Sequence, residues 1–283
     1  MPFLGAGHTQ HVGQYRDNVA KGLAFLSRIG EQTPNGLSFW EYEGSMYGHG
    51  LASIAICEAY AMTDDQSLRQ VAEQAIRFIE YAQNTQNGGW RYDIREPGDT
   101  SVVGWQVMAL KSAKMGKIEV EERTWKMVKK FLDSVSRDYG AFYGYMEPPG
   151  GNLGLHKSRT AIGLLCRMYM GWEKERAGLV EGVTWLSEYG PSLGTRTNPT
   201  GANMYYNYYA TQVLHHMEGS EWQKWNSVMR KMLPEHQETR GKERGSWDPQ
   251  GDRWGSQGGR LYVTCLSLCV LEVYYRHLPL YQT

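Results

Sequence analysis

The stretch "LASIAICEAYAMTDDQSLRQVAEQAIRFIEYAQ", Leu51 to Gln83, holds two helices of opposite character. The first, up to Met62, is apolar nearly all round, as a helix buried on both sides must be. The second places Leu68, Val71, Ala75, Ile76 and Ile79 on one face of a 3.6-residue period, with Arg, Gln and Glu opposite. That helix is covered on one side and wet on the other. The joint "MTDDQ" supplies Asp64 and Asp65, acids suited to capping the second helix.

The same alternation runs along the chain. Charged, amphipathic segments predict helices over roughly 12–29, 66–83, 120–137, 176–189 and 220–238. More apolar segments predict helices over roughly 48–62, 100–115, 158–172, 203–217 and 259–277. Before the apolar helices come aromatic-glycine boxes: "GLSFWEYEG" (Gly36 to Gly44), "GGWRY" (Gly88 to Tyr92), "GAFYGY" (Gly140 to Tyr145) and "GSWDP" (Gly245 to Pro249). Trp40 to Trp90 is 50 residues, Trp90 to Tyr143 is 53, and Tyr143 to Trp247 is 104, or two periods. The gap holds a longer joint, "GPSLGTRTNPTGANMYYNYY" (Gly190 to Tyr209). A repeat of this length is a stacked-repeat architecture. Two-sided burial puts the apolar helices in an inner ring and the charged ones in an outer ring. The expected fold is therefore all-α: a single α/α toroid of about five helical hairpins over residues 1–283. The boxes gather at one end of the ring, where inner-helix N-termini aim free N–H groups and positive dipole ends. A pocket is expected to open there.

The length of 283 residues is large for one compact core but ordinary for a repeat array. Lys+Arg 30 balances Asp+Glu 30, which argues against nucleic acid or a polybasic membrane surface. No apolar run reaches the roughly 20 residues of a membrane helix. The opening "MPFLGAGHTQ" lacks the basic and apolar regions of a signal peptide, and the compartment stays open. Cys57, Cys166, Cys265 and Cys269 sit inside apolar helices, where free thiols behave as small hydrophobes. Their spacing fits neither a disulfide framework nor structural zinc. The 19 Tyr and 10 Trp against 6 Phe are unusual. Rings with polar handles suit surfaces that meet water or a ligand.

"QNTQNGGWRY" and "RGSWDP" resemble the Gln-Trp repeat of cyclases, with Asn84 and Gly241 standing where that repeat has its Gln. With "MYGHGLASIAICEAYAMT", "PGDTSVVGWQVMALKSAKMG" and "GGRLYVTCLSLCVLEVYYRHLPLY", nearly the whole chain resembles the prenyltransferase/squalene-cyclase repeat superfamily, the terpenoid-cyclase-like α/α toroids. Together these stretches resemble planctomycete-type repeat proteins of unassigned activity. That family usually closes with a sixth unit, so the resemblance implies either a ring of five or a piece of a longer parent chain. Class II cyclases protonate their substrate from a D-x-D-D-T-A motif. "EPGDTSVVGW" resembles its tail through Asp99, Thr100 and Ser101, with Gly98 at the proton-donor position and Glu96 at the first acid. The Asp-x-Cys of prenyltransferase zinc sites and the Cys-Gly-Glu-Gln of thioester proteins are absent. No metal and no cofactor is implied.

Asp99 is either an N-cap for its helix or an acid facing the pocket. His49, between two glycines, is either a satisfied loop histidine or an acid/base group beside Asp99. Gln106 either joins neighbouring helices or lines the pocket. In "NMYYNYYATQ", Tyr205, Tyr208 and Gln212 share one face, and Tyr206 and Tyr209 another. Those rings either line a cavity or form a hydrogen-bonded core. Aromatic faces suit a carbocation and a sugar alike. The Gly-rich "GSWDPQGDRWGSQGGRLY" sets Trp247, Asp248, Asp252, Trp254, Arg260 and Tyr262 at the mouth. "LHKSRTA" adds Lys157 and Arg159, "MYGHG" adds Tyr47, and the box "GGWRY" adds Trp90 and Tyr92. Arg159 and Arg260 either bind an anion or pair with Asp99. His215, His216 and His277 lie at the far end, where they can answer C-terminal dipoles. The expected function is a toroid with an aromatic-lined central pocket for a small or isoprenoid ligand. The alternatives are an isoprenoid cyclase with Asp99 as acid and a non-catalytic protein- or carbohydrate-binding module.

Overall fold

A computed structural model describes residues 1–42, 45–150, 155–193 and 203–276. The described residues form twelve helices. The outer set is α2 (Arg16–Ile29), α4 (Gln66–Ala82), α6 (Glu122–Ser134), α8 (Ala177–Tyr189) and α10 (Gly219–Glu235). The inner set is α3 (Ser45–Thr63), α5 (Thr100–Met115), α7 (Lys157–Tyr169), α9 (Met204–Met217) and α11 (Gly255–Leu271). Short α1 (Pro2–Gly5) and α12 (Val273–Arg276) complete it. Each inner helix packs on the next, α3 on α5, α5 on α7, α7 on α9 and α9 on α11, with outer helices behind them. The fold is the expected all-α toroid, with five outer and five inner helices among the described residues.

The gap between α11 and α3 is bridged rather than packed directly. Helix α1 lies against α11 and α12, and α12 against α9. Arg276 of α12 pairs with Glu58 of α3, with side chains only 4% and 15% exposed. The predicted last inner helix, 259–277, is divided: α11 starts earlier, breaks its helical geometry at Gly259, and gives way to α12 after Leu271.

Local chemistry sets the element ends. Asp65 caps α4 by accepting from Ser67 N at 3.0 Å. Asn203 caps α9 through Tyr206 N at 3.1 Å, and Asp99 caps α5. The box glycines Gly36, Gly88, Gly140 and Gly245 all have positive φ. At Gly88 a Cβ would also meet the Met127 carbonyl oxygen at 2.1 Å, so the turn against α6 admits only glycine. Two short antiparallel pairs, β1 (Glu31–Thr33) with β2 (Gly36–Ser38) and β3 (Ser136–Arg137) with β4 (Phe142–Tyr143), tie the joints ahead of α3 and α7.

The box rings hold hairpins together. Trp90 and Trp247 are buried, and each donates its indole N–H at 2.8 Å to a carbonyl of the preceding outer helix, Ile79 O and Leu233 O. Tyr143 accepts from Arg167 Nε at 3.0 Å. The ring interior is aromatic and packed. Trp105 of α5 stacks on Tyr208 of α9, centroids 5.6 Å apart, and meets Tyr209 edge-on at 5.5 Å. In ring order α7 lies between α5 and α9, so these contacts cross the interior. All three rings are buried. Cys57, Cys166 and Cys269 are buried free thiols, and Cys265 is half-buried. Among the described residues no helix is long and apolar enough to cross a membrane.

Candidate functional site

Asp99 is completely buried at the start of α5. Its Oδ1 accepts from Ser101 N at 2.8 Å and Val102 N at 3.0 Å, satisfying two helix-start donors. Its Oδ2 accepts from Tyr145 OH at 3.1 Å. Tyr145 OH lies 3.0 Å from Tyr92 OH, which makes a chain of hydroxyls running from the exposed Tyr92 inward to the carboxylate. Arg91 Nε stands 3.7 Å from Oδ2, an ion pair without a hydrogen bond, and its guanidinium also holds Glu96 at 2.7 Å. Burial pushes the Asp99 carboxyl above its ordinary range; the two N–H groups, the Tyr145 hydroxyl and Arg91 pull it back. Asp99 therefore functions as a cap and as the inner end of a polar network.

Gly98 occupies the donor place of the cyclase motif that this stretch resembles, and backbone closes that place. A Cβ there would lie 2.4 Å from Gly89 Cα and 2.7 Å from Trp90 N. Both neighbours are backbone, so no side chain fits. Thr100, next in the motif, donates its hydroxyl to Gly144 O at 2.6 Å and serves to join the second and third joints.

The rest of the mouth is built from tyrosines and cations. Tyr47 and Tyr92 are tilted rings 6.2 Å apart. Tyr205 donates to Ser101 O at 3.3 Å. The Tyr262 hydroxyl is buried with no hydrogen-bond partner among the described residues. Burial raises the phenols of Tyr47, Tyr205 and Tyr262 far above their ordinary value, so they are neutral donors. Arg159 lies half-buried with its guanidinium 5.1 Å from the Tyr145 ring. No described carboxylate bonds it; Asp99 acts on it only through space. Lys157 faces the Tyr189 and Tyr206 rings at 4.6 and 5.5 Å. His156 is held neutral by burial and by the Arg159, Arg253 and Lys157 charges, down to about 4.

Other expected residues lie elsewhere. His49 Nδ1 accepts from Phe39 N at 3.1 Å, so its Nε2 carries the proton, 3.1 Å from Ala75 O. It sits against Phe78 between α3 and α4, neutral, its pKa lowered to about 4 by burial. It is a structural histidine, and its partners are not those of Asp99. Gln106 joins helices, donating to Met46 O at 2.8 Å. Trp247 is a hairpin tie rather than a wall of the mouth. Asp248 caps a 3₁₀ turn, Pro249–Gly251, through Gln250 N at 2.9 Å. Arg260 donates to Ser246 at 3.1 Å and lies 3.9 Å from Asp248, so the arginine on Asp99 is Arg91 instead. Asp252 is buried, accepting from Met204 N and Trp254 N, and Trp254 is partly exposed. Tyr208 and Gln212 belong to the packed interior, Gln212 accepting from Tyr169 OH at 3.3 Å. Tyr209 turns inward with Tyr208, while Tyr206 turns outward to Leu186 and Trp225. His215 and His216 do end α9, but burial keeps them neutral, His216 down to about 3, so they bring no charge to its dipole. His277 and the joint residues 43–44, 151–154 and 194–202 lie outside the described residues.

Arg91 and Tyr145 were the site residues not anticipated. Their signal was adjacency: Arg91 stands between Trp90 and Tyr92, and Tyr145 ends "GAFYGY". Two clefts away from the mouth were also not anticipated. A cleft of about 560 Å³ opens at the opposite end of the ring, among inner-helix C-termini. A smaller polar one, about 230 Å³, lies outside the ring between α4 and α6. Among the described residues no three His, Cys, Asp or Glu gather as a metal site would require.

No family model matches the chain, and no curated protein matches it. Among solved structures it is similar to a variant of the type II terpene cyclase MstE from Scytonema in complex with its substrate, geranylgeranyl dihydroxybenzoate. The TM-score is 0.58 at 14% identity, over 97% of this chain and 85% of that chain. The apo form of that cyclase matches with a TM-score of 0.40 at 12% identity, over 95% of this chain and 100% of that chain. The first likeness shows the fold, a terpenoid-cyclase-like α/α toroid, in agreement with the motif resemblance.

Proposed function

We propose that the chain is a ligand-binding toroid that seats an amphipathic anion with an isoprenoid-like tail at the ring mouth and does not transform it. The observation that carries this reading is Arg159. It is a half-buried cation with no described carboxylate in hydrogen-bond or ion-pair contact: the Tyr145 ring is beside it, Arg253 repels it and Asp99 acts only through space, at the end where inner-helix N-termini converge. An acidic head would supply a counter-charge in direct contact, with Tyr47, Tyr92 and Tyr262 offering ring faces and hydroxyls to the rest of the ligand. The cyclase of the same fold binds geranylgeranyl dihydroxybenzoate, a ligand with a head and a tail of this kind.

Binding without cyclisation is favoured by two features. The donor position is closed by backbone at Gly98. Asp99, with no exposed surface, spends both oxygens accepting hydrogen bonds. A general acid needs a proton to give and an open path to its substrate. Calorimetric titration with a geranylgeranyl-tailed benzoate tests the reading. Saturable binding is expected, with a component weakened by about tenfold or more in Arg159→Ala and partly restored in Arg159→Lys. Absent binding, or binding indifferent to Arg159, would sink it.

A further inference from the structure

The cleft of about 560 Å³ at the far end of the ring has the size of a small-molecule site and a composition of its own. Its floor is the last turns of α3 and α5, with Met62, Met108 and Met115, and its rim includes Leu4 of α1 and Tyr275 of α12. Methionine walls are apolar and adaptable, and suit a flexible chain better than a rigid ring system. One cation stands in this wall uncommitted. Lys111 is half-buried; among the described residues no carboxylate lies within ion-pair distance of it. Its neighbours include the Tyr169 ring at 5.7 Å, the like charge of Lys114 and the imidazole of His216, which burial keeps neutral. The other charged groups of the cleft, Glu58 and Arg276, neutralise one another in their buried pair. Helix C-termini also face this end, and their carbonyls repel an anion everywhere except at the ammonium. The head of an anionic ligand is thereby confined to one place.

We infer that this cleft binds a single-headed anionic amphiphile, its head on Lys111 and its apolar chain along Met62, Met108, Met115 and Leu4. The site is separate from the ring mouth and does not rest on the reading given for Arg159. Desolvation of Lys111 is offset when an acidic head arrives, and the chain replaces water along the methionines.

Calorimetric titration of the full chain with dodecanoate, below its micelle concentration, tests this. A Lys111-dependent site is expected, with acetate and dodecyltrimethylammonium each binding there about tenfold more weakly or worse, since one lacks the tail and the other reverses the head. Lys111→Met should weaken dodecanoate by about tenfold or more, and Lys111→Arg by no more than about threefold. Met62 is 48% exposed, so Met62→Trp should fold and block the cleft even if a Lys111 variant does not fold. Arg159→Ala, which removes any share of the ring mouth, should still show the Lys111-dependent binding. No binding, equal binding of the cationic amphiphile, or loss in Arg159→Ala with none in Lys111→Met would overturn the assignment.

Discussion

Asp99 carries the tension between structure and chemistry in a single side chain. Its register matches the tail of a proton-donor motif, yet its contacts are those of a helix cap: two backbone N–H groups on one oxygen and a phenol on the other. Asp99→Ala should therefore destabilise the fold by about 1–3 kcal/mol, and Asp99→Asn by less than half of that, because the amide oxygen can still cap α5. Urea denaturation of the two variants measures the difference; equal losses would show that the charge rather than the cap matters. Gly98 gives the complementary test. Gly98→Asp would put an acid at the donor place of the cyclase motif the stretch resembles, but its Cβ would meet Gly89 backbone at 2.4 Å. Overpacking against backbone costs about 1–3 kcal/mol or more. Lower stability and no new cyclase activity are expected, and a stable, active Gly98→Asp protein would refute the closed-position argument.

Between elements, the toroid depends on how helices are tied. The indole bonds of Trp90 and Trp247 fasten outer helices to the joints that follow them, and the Arg276–Glu58 pair fastens the two ends of the ring. Removing one partner of a buried ion pair leaves the other charge stranded, at a cost of about 3–5 kcal/mol. Arg276→Met and Glu58→Leu are each expected to lose that much in urea unfolding, while the double variant recovers most of it. Additive losses would mean that the pair does not close the ring. These ties mark the limit of what was legible beforehand. Helix positions, ring layers and the Asp99 cap follow from periodicity and capping chemistry, which are local. Tryptophans that look alike in sequence do different work, because whether an indole finds a carbonyl or a pocket depends on the helix opposite. His49 reads as a loop residue between glycines, but α4 supplies the carbonyl that fixes its tautomer. Arg276 and Glu58 are 218 residues apart, and nothing local in either stretch announces the other.

For the whole molecule, burial of neutral histidines sets the pH response. His49 and His156 are lowered to about 4 and His216 to about 3, all by desolvation first. The unfolded chain binds protons at these sites below pH 6.5 and the folded chain does not. Their contribution is fully present above that pH and is lost as pH falls toward 4; His49 alone accounts for on the order of 3 kcal/mol. Glu272, raised to about 7 by burial, works in the opposite direction between pH 4.5 and 7. Unfolding free energy should still fall steeply below pH 6.5, and His49→Gln should flatten that fall. A wild-type profile that is level from pH 7 to 4 would contradict it. At the same scale stands the claim that this toroid holds an amphipathic ligand at its mouth without reacting with it. The most direct test is to incubate the protein with an equimolar geranylgeranyl-tailed benzoate, extract the ligand, and separate it chromatographically with mass detection. The account predicts recovery of the unchanged linear ligand at its original retention. An isomer of identical mass and shifted retention, absent from the protein-free control, would show cyclisation and contradict it.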